Sequence, residues 1–298
     1  MADLLTDRLV VGISSRALFD LELENRIYEE EGLENYSLYQ KAHENDILRP
    51  GTAFPLVRAL HNLNLGDKRL TEIMIMSRNS ADTSLRIFNS IKHYGLDIER
   101  AALVGGRSIT DYLDIFHTDL FLSANEGDVQ EAVNRGFAAG LICSNEALPI
   151  DPKEEISQIR IAFDADAVIF SDESEKIYKR DGLEAFARHE AEMADKPLAE
   201  GPFAKFLRTI SDVQKQASPD RAPIRTALVT ARSAPAHERV IRTLDAWGVR
   251  IDEIFFLGGI EKARVLQRFG AHIFFDDQKI HTGPASEVVP AALVPGIQ

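Results

Sequence analysis

The sequence predicts an α/β protein made of two related, doubly wound halves. Three observations predict it. Short apolar runs alternate with helical stretches, the pattern of strands joined by crossover helices. The strand runs are continuously apolar rather than alternating, as in strands buried on both faces of a parallel sheet. The chain also matches itself. With a shift of 150, "IYEEEGLENY" (27–36) falls on "IYKRDGLEAF" (177–186), and "ISSRALF" (13–19) on "FDADAVI" (163–169). With a shift of 153, "MSRNSA" (76–81) falls on "VTARSA" (229–234), "HYGLDIERAALVGG" (93–106) on "AWGVRIDEIFFLGG" (246–259), and "DLFLSAN" (119–125) on "HIFFDDQ" (272–278). The matches keep one order and divide the chain into halves, 1–150 and 151–298.

Each half has one plan. An apolar strand opens it, a helical stretch follows, and a second strand leads into an amphipathic helix. A third strand ends in Gly-Gly, and a short helix then leads to a fourth strand. In the second half the strands are "QIRIAFD", "RTALVT", "EIFFLGG" and "HIFFDD". The helix "HERVIRTLDAWG" sets Val240, Ile241, Leu244 and Trp247 on one face and stops at Gly248.

Composition narrows the function. The 298 residues are 45% hydrophobic and 27% charged, ordinary for a soluble globular protein, and that length suggests about two domains. A net charge of −13 argues against broad nucleic-acid binding, which needs a positive surface. The single cysteine, Cys143, rules out an intrachain disulfide and suits a reducing compartment. "MADLLTDRLVVG" lacks a secretion pattern, and no apolar run approaches membrane-spanning length. A cytoplasmic protein that binds no membrane is expected. An oligomer is compatible with this.

The chemistry gathers at strand ends, where open α/β sheets bind ligands. The first strand of the second half ends in Asp164 and Asp166, the second in Thr230, and the fourth in Asp276 and Asp277. Lys262 opens the helix beyond Gly258-Gly259. Asp164 with Asp276 or Asp277 can hold Mg²⁺, which takes one or two carboxylates plus water and phosphate oxygens. An aspartate beside the metal can attack a phosphoryl group, and a carboxylate two residues on can move the protons. Thr230 and the N–H groups opening a helix at Ser233–Pro235 can hold phosphate oxygens, and Lys262 offsets the accumulated negative charge. Taken singly, Thr230 reads as a helix cap, Lys262 as a surface lysine and Asp276-Asp277 as a turn. Their order, each at a strand end, favours a site. His189 and His272 have no metal-ligand spacing and read as ordinary histidines.

"FDADAVIF", "LVT", Lys262 and "FFDD" resemble, in order, the four motifs of the haloacid dehalogenase-like phosphatases. The resemblance implies that Asp164 is the nucleophile and Asp166 the general acid/base. It implies that Thr230, Ala231 and Lys262 bind the phosphoryl group, and that Asp164, Asp166, Asp276 and Asp277 form the Mg²⁺ site. The interval 167–229 exceeds an ordinary crossover and resembles a helical cap inserted from about Glu173 to Ala222. Nearly the whole chain is similar to the type I cytosolic 5′-nucleotidases, through "SSRALF", "YQKAHEN", "PGTAFPLV", "NSIKHYGL" and "YLDIFHTDLFLSA", then "AFDADAVIFSDESE", "KPLAEGP", "VTARSA" and "HIFFDDQ". That likeness implies hydrolysis of nucleoside 5′-monophosphates, AMP being one candidate. The alternatives are a sugar-phosphate phosphatase or phosphomutase of the same chemistry, and a nucleotide sensor without turnover.

The first half carries none of the carboxylates. In register, Asp164 becomes Ser14, Asp166 becomes Arg16, Thr230 becomes Ser77, Lys262 becomes Ile109 and Asp276-Asp277 becomes Ser123-Ala124. It is expected to be a silent copy, with Arg16 pointing into the vacated site.

Overall fold

The computed structural model describes residues 5, 8–64, 69–144, 148–154, 156–216 and 223–298. The first 150 residues give strands β1 (Leu9–Ile13), β2 (Thr71–Ser77), β3 (Arg100–Leu103), β4 (Leu120–Ser123) and β5 (Ala139–Ile142). The rest give β6 (Ile159–Phe163), β7 (Ile224–Thr230), β8 (Glu253–Phe256), β9 (Ile273–Asp276) and β10 (Ala291–Leu293). All ten join one sheet in the order β3-β2-β1-β4-β5-β10-β9-β6-β7-β8. Neighbours run parallel except β5 and β10, which pair antiparallel at the centre. Counted outward from that junction, the two sets of five strands therefore follow the same order. Their registers repeat as well. Leu9 faces Thr71 as Ile159 faces Ile224, and Ile13 faces Leu122 as Phe163 faces Phe275.

Helices α1 (Ser15–Leu18), α2 (Glu22–Ala42), α3 (Phe54–His61), α4 (Leu85–His93) and α5 (Glu126–Asn134) accompany the first five strands. α6 (Glu173–Glu192), α7 (Ala204–Lys215), α8 (His237–Ala246), α9 (Lys262–Phe269) and α10 (Lys279–Ser286) accompany the others. The long helices α2 and α6 both kink, at Gly32 (φ 86°) and Gly182 (φ 82°), where the backbone adopts a conformation that only glycine takes cheaply. The interval of the expected cap holds α6 and α7, and α2 and α3 occupy the same interval after β1. But α7 packs into the core against the sheet and so is no part of an outlying cap. The end of that expected insertion, 217–222, lies outside the described residues.

Strand residues send alternate side chains to opposite faces, and both faces are packed. Leu9, Val11 and Ile13 join Ile161, Phe163, α3, α4, α7 and α8 in one apolar cluster that spans both parts of the sequence. Val10, Met74 and Phe121 turn the other way, against α5. Ala162, Val229 and Phe274 do the same against α9 and α10. Two sequence expectations need correction. Ile241 of α8 is 43% exposed, while Arg239, Val240, Thr243 and Leu244 are buried. Thr243 can take the inward position because its hydroxyl accepts from Leu198 N and donates to Arg239 O. A fifth strand in each part, "AGLI" and "AAL", was not expected.

Candidate active site

β6 ends at Phe163, so Asp164 stands just beyond the sheet, its N–H donating to Phe275 O at 2.8 Å. β9 ends in Asp276, and β7 in Thr230. Lys262 is the first residue of α9, as the sequence predicts. Parallel neighbours in register deliver these ends to one edge, and the side chains meet there. Lys262 Nζ lies 2.9 Å from Asp164 Oδ1 and 2.6 Å from Asp276 Oδ2. Oxygens of Asp164, Asp276 and Asp277 lie within 4.8 Å of one another.

Two of the carboxylates and the ammonium sit almost out of water, with Asp164 5%, Asp276 0% and Lys262 3% exposed, while Asp277 is half-buried. Burial raises the Asp164 pKa, and Asp276 and Asp166 add to this against the opposing Lys262 charge. Burial, with Asp164, Glu175 and Asp276 nearby, pushes Asp277 up to about 8. Burial works to lower the Lys262 pKa, but Asp164 and Asp276 outweigh it and hold the ammonium above its ordinary value. Asp277 Oδ1 is buried without a hydrogen-bond partner among the described residues. Such an orphaned acceptor beside two further carboxylates suits a bound cation.

Two expected residues are arranged differently. The Asp166 carboxylate is not among the three clustered ones; it is held by Arg232, at 2.8 Å to Nε and 2.6 Å to Nη2. The expected helix opening at Ser233–Pro235 lies further on, since α8 begins at His237 and Pro235 has no N–H to offer. Thr230, 1% exposed, accepts from the N–H of Arg232 at 3.2 Å through its hydroxyl. Ala231 lies between them.

Sequence reasoning missed the group that holds Asp166. Arg232 also pairs with Glu190 of α6, which receives Arg239 Nη1 at 2.9 Å and Ser174 Oγ at 2.8 Å. A signal was there in the register. Arg232 matches Asn79 and Glu190 matches Gln40, so both members of the charge pair become amides together in the first half. There Asn79 and Gln40 donate to one atom, the Tyr36 hydroxyl, at 2.7 and 3.1 Å. His272 and His189 lie outside the carboxylate cluster, and His272 Nδ1 accepts from Arg160 N at 2.9 Å. A cavity of about 510 Å³ at the opposite ends of β6 and β7, lined by Arg160, Arg225, Arg264 and Arg268, contains none of the site residues.

An α/β sheet with clustered carboxylates and a buried lysine at its strand ends defines a site able to handle a metal ion and a phosphate. The chain belongs to the 5′-nucleotidase family, whose model matches residues 1–298. It is 41% identical over 285 residues to cytosolic 5′-nucleotidase 1B of Homo sapiens, covering 92% of this chain and 46% of that protein. The chain therefore spans about half the length of that curated relative. A solved structure, that of the Pnkp1/Rnl/Hen1 complex, aligns over 98% of this chain and 97% of its own at 11% identity and a TM-score of 0.33, too weak a likeness to bear on the fold. Among the described residues, no helix is long and apolar enough to cross a membrane.

Proposed function

We propose that this protein is a cytoplasmic, Mg²⁺-dependent 5′-nucleotidase that hydrolyses nucleoside 5′-monophosphates to nucleoside and phosphate. The observation that carries this reading is the meeting of Asp164, Asp276 and Asp277 around the Lys262 ammonium at one sheet edge. The family supports the substrate class, and the human relative's name supports the compartment.

Asp164, Asp276 and Asp277 would hold the ion, and bound Mg²⁺ would offset the charge of the phosphate. The Asp164 carboxylate attacks phosphorus, breaking the bond to the 5′ oxygen and leaving an aspartyl-phosphate. Asp166 gives a proton to the departing alkoxide, then takes one from water. That water attacks phosphorus, freeing phosphate and restoring the Asp164 carboxylate. Thr230, the Ala231 N–H and Lys262 hold the phosphoryl oxygens. For the acid step, the Asp166 carboxylate leaves the Arg232 guanidinium and takes up the proton it later gives to the alkoxide.

We read the chain as two related, doubly wound halves of haloacid dehalogenase-like type, 1–150 and 151–298, the first without the catalytic carboxylates. The repeated strand order and register support this. α6 is read as the cap that covers the site and selects substrates, while α7 packs its apolar face into the core against the sheet. Phosphate release from a panel of nucleoside monophosphates (AMP first) and sugar phosphates, with and without Mg²⁺, tests the function. Turnover confined to sugar phosphates would replace the reading with a general phosphatase or mutase, and nucleotide binding without turnover would replace it with a sensor.

A further inference from the structure

The first half holds a cavity of about 310 Å³ at the strand edge that matches the carboxylate site of the second, a size at the lower end for small-molecule pockets. Its floor is rich in hydroxyls, for Ser14, Ser15, Ser77 and Ser123 line it and are buried. Ser15 Oγ lies 3.0 Å from Ser77 Oγ and donates to Asn79 Oδ1 at 2.7 Å. The acidic side chains in the wall already have cations. Asp128 is matched by Arg78 at 2.6 Å, and Glu24 by Arg86.

Arg16 lines the cavity at the position equivalent to Asp166, so an arginine replaces a carboxylate. One terminal nitrogen reaches Glu22 at 3.1 Å. Its Nε is buried with no hydrogen-bond partner among the described residues, and an unpaired buried donor in a cavity wall calls for an acceptor. Two tyrosines of α2 also line the cavity. Tyr28 and Tyr36 meet edge to face, 5.8 Å between centroids, and Tyr28 is 51% exposed. The lining thus offers a cation, hydroxyls and aromatic rings.

We propose that this cavity binds a nucleoside 5′-phosphate without metal and without turnover, an inference that rests on the nucleotide reading above. The phosphate meets Arg16 and the hydroxyls of Ser14 and Ser123, which only accept within the protein, and the base packs on the tyrosines. Nothing there attacks phosphorus as Asp164 does. Ser14 Oγ serves as a cap, accepting from Ala17 N and Ala124 N, both at 3.3 Å.

The test is equilibrium dialysis of labelled AMP against the full chain carrying Asp164→Asn, in EDTA, so that turnover plays no part and failure of the enzymatic reading stays separate. Adding Arg16→Ala should weaken one binding component by about tenfold or more, the scale of a lost charged hydrogen bond. Arg16→Lys should recover part of it, and Lys262→Ala should leave that component in place. Tyr28→Ala, at an exposed position, should weaken AMP but not inorganic phosphate. Binding unchanged by both Arg16→Ala and Tyr28→Ala in natively folded variants overturns the proposal, as does binding abolished by Lys262→Ala alone.

Discussion

Arg232 grips the carboxylate of Asp166 with two N–H groups, Nε at 2.8 Å and Nη2 at 2.6 Å, and turns its third nitrogen to Glu190 on α6. Burial alone would lower the arginine's pKa, but the Asp166 and Glu190 carboxylates hold it above its ordinary value. All three guanidinium nitrogens are engaged, and Arg232 is 4% exposed. It ties the proposed acid/base to the helix that would cover the site.

Removing it should leave Glu190 buried with one fewer cation. Arg232→Met is expected to cost roughly 3–5 kcal/mol, the scale for breaking a buried ion pair from one side. The double variant Arg232→Met with Glu190→Gln should recover part of that in urea unfolding, because no buried carboxylate is then left short of its second cation. Additive losses in the two single variants would argue against the coupling.

Metal removal gives the second prediction. Exhaustive chelation should stop phosphate release and added Mg²⁺ should restore it, since three carboxylates with one ammonium leave net negative charge where a phosphate must bind. Turnover that survives chelation removes the metal from the account.

A third prediction concerns a close backbone approach. A Cβ on Gly201 would stand 2.4 Å from Phe170 O and 2.6 Å from Val168 O, and one on its register partner Gly51 would stand 2.8 Å from the Phe19 carbonyl carbon. Backbone cannot yield as a side-chain tip does. Gly201→Ala should lower stability by roughly 1–3 kcal/mol, as overpacking does, read from the urea midpoint. An unchanged midpoint would show that the loop has room.

The fourth is a pH effect. Burial, then the Arg160 charge, lowers the His272 pKa from 6.5 to about 4. The unfolded chain therefore binds this proton more readily than the folded one. The stability is fully present above about pH 6.5, fades as the pH falls, and is lost once the pH passes below about 4. The window is worth roughly 3 kcal/mol at about 1.4 per unit. His272→Asn keeps an acceptor for Arg160 N without the titration. It should flatten the melting temperature against pH in that window, and an unaltered slope would contradict the assignment.

Much of this was legible in the residues, for physical reasons. Strands buried on both faces need continuous apolar runs, so "RIAF", "ALV" and "IFF" announced themselves. The short central strands "AGLI" and "AAL" did not, because small residues at such length carry no pattern. Asp164, Asp276 and Lys262 were readable because each closes a strand or opens a helix at one edge. Arg232, Glu190 and Arg239 were not, since buried charges look like surface charges until their partners are known. Only the paired change of Arg232 and Glu190 to Asn79 and Gln40 betrayed them.

The most direct test of the central claim is phosphate release by Asp164→Asn against wild type on AMP, with Mg²⁺ present and folding checked by circular dichroism. The amide cannot attack phosphorus, so the account predicts a natively folded variant with turnover reduced by at least ~10³-fold. A folded variant that retains more than about a tenth of wild-type activity, where a lost nucleophile should cost far more, would show that Asp164 is not the nucleophile.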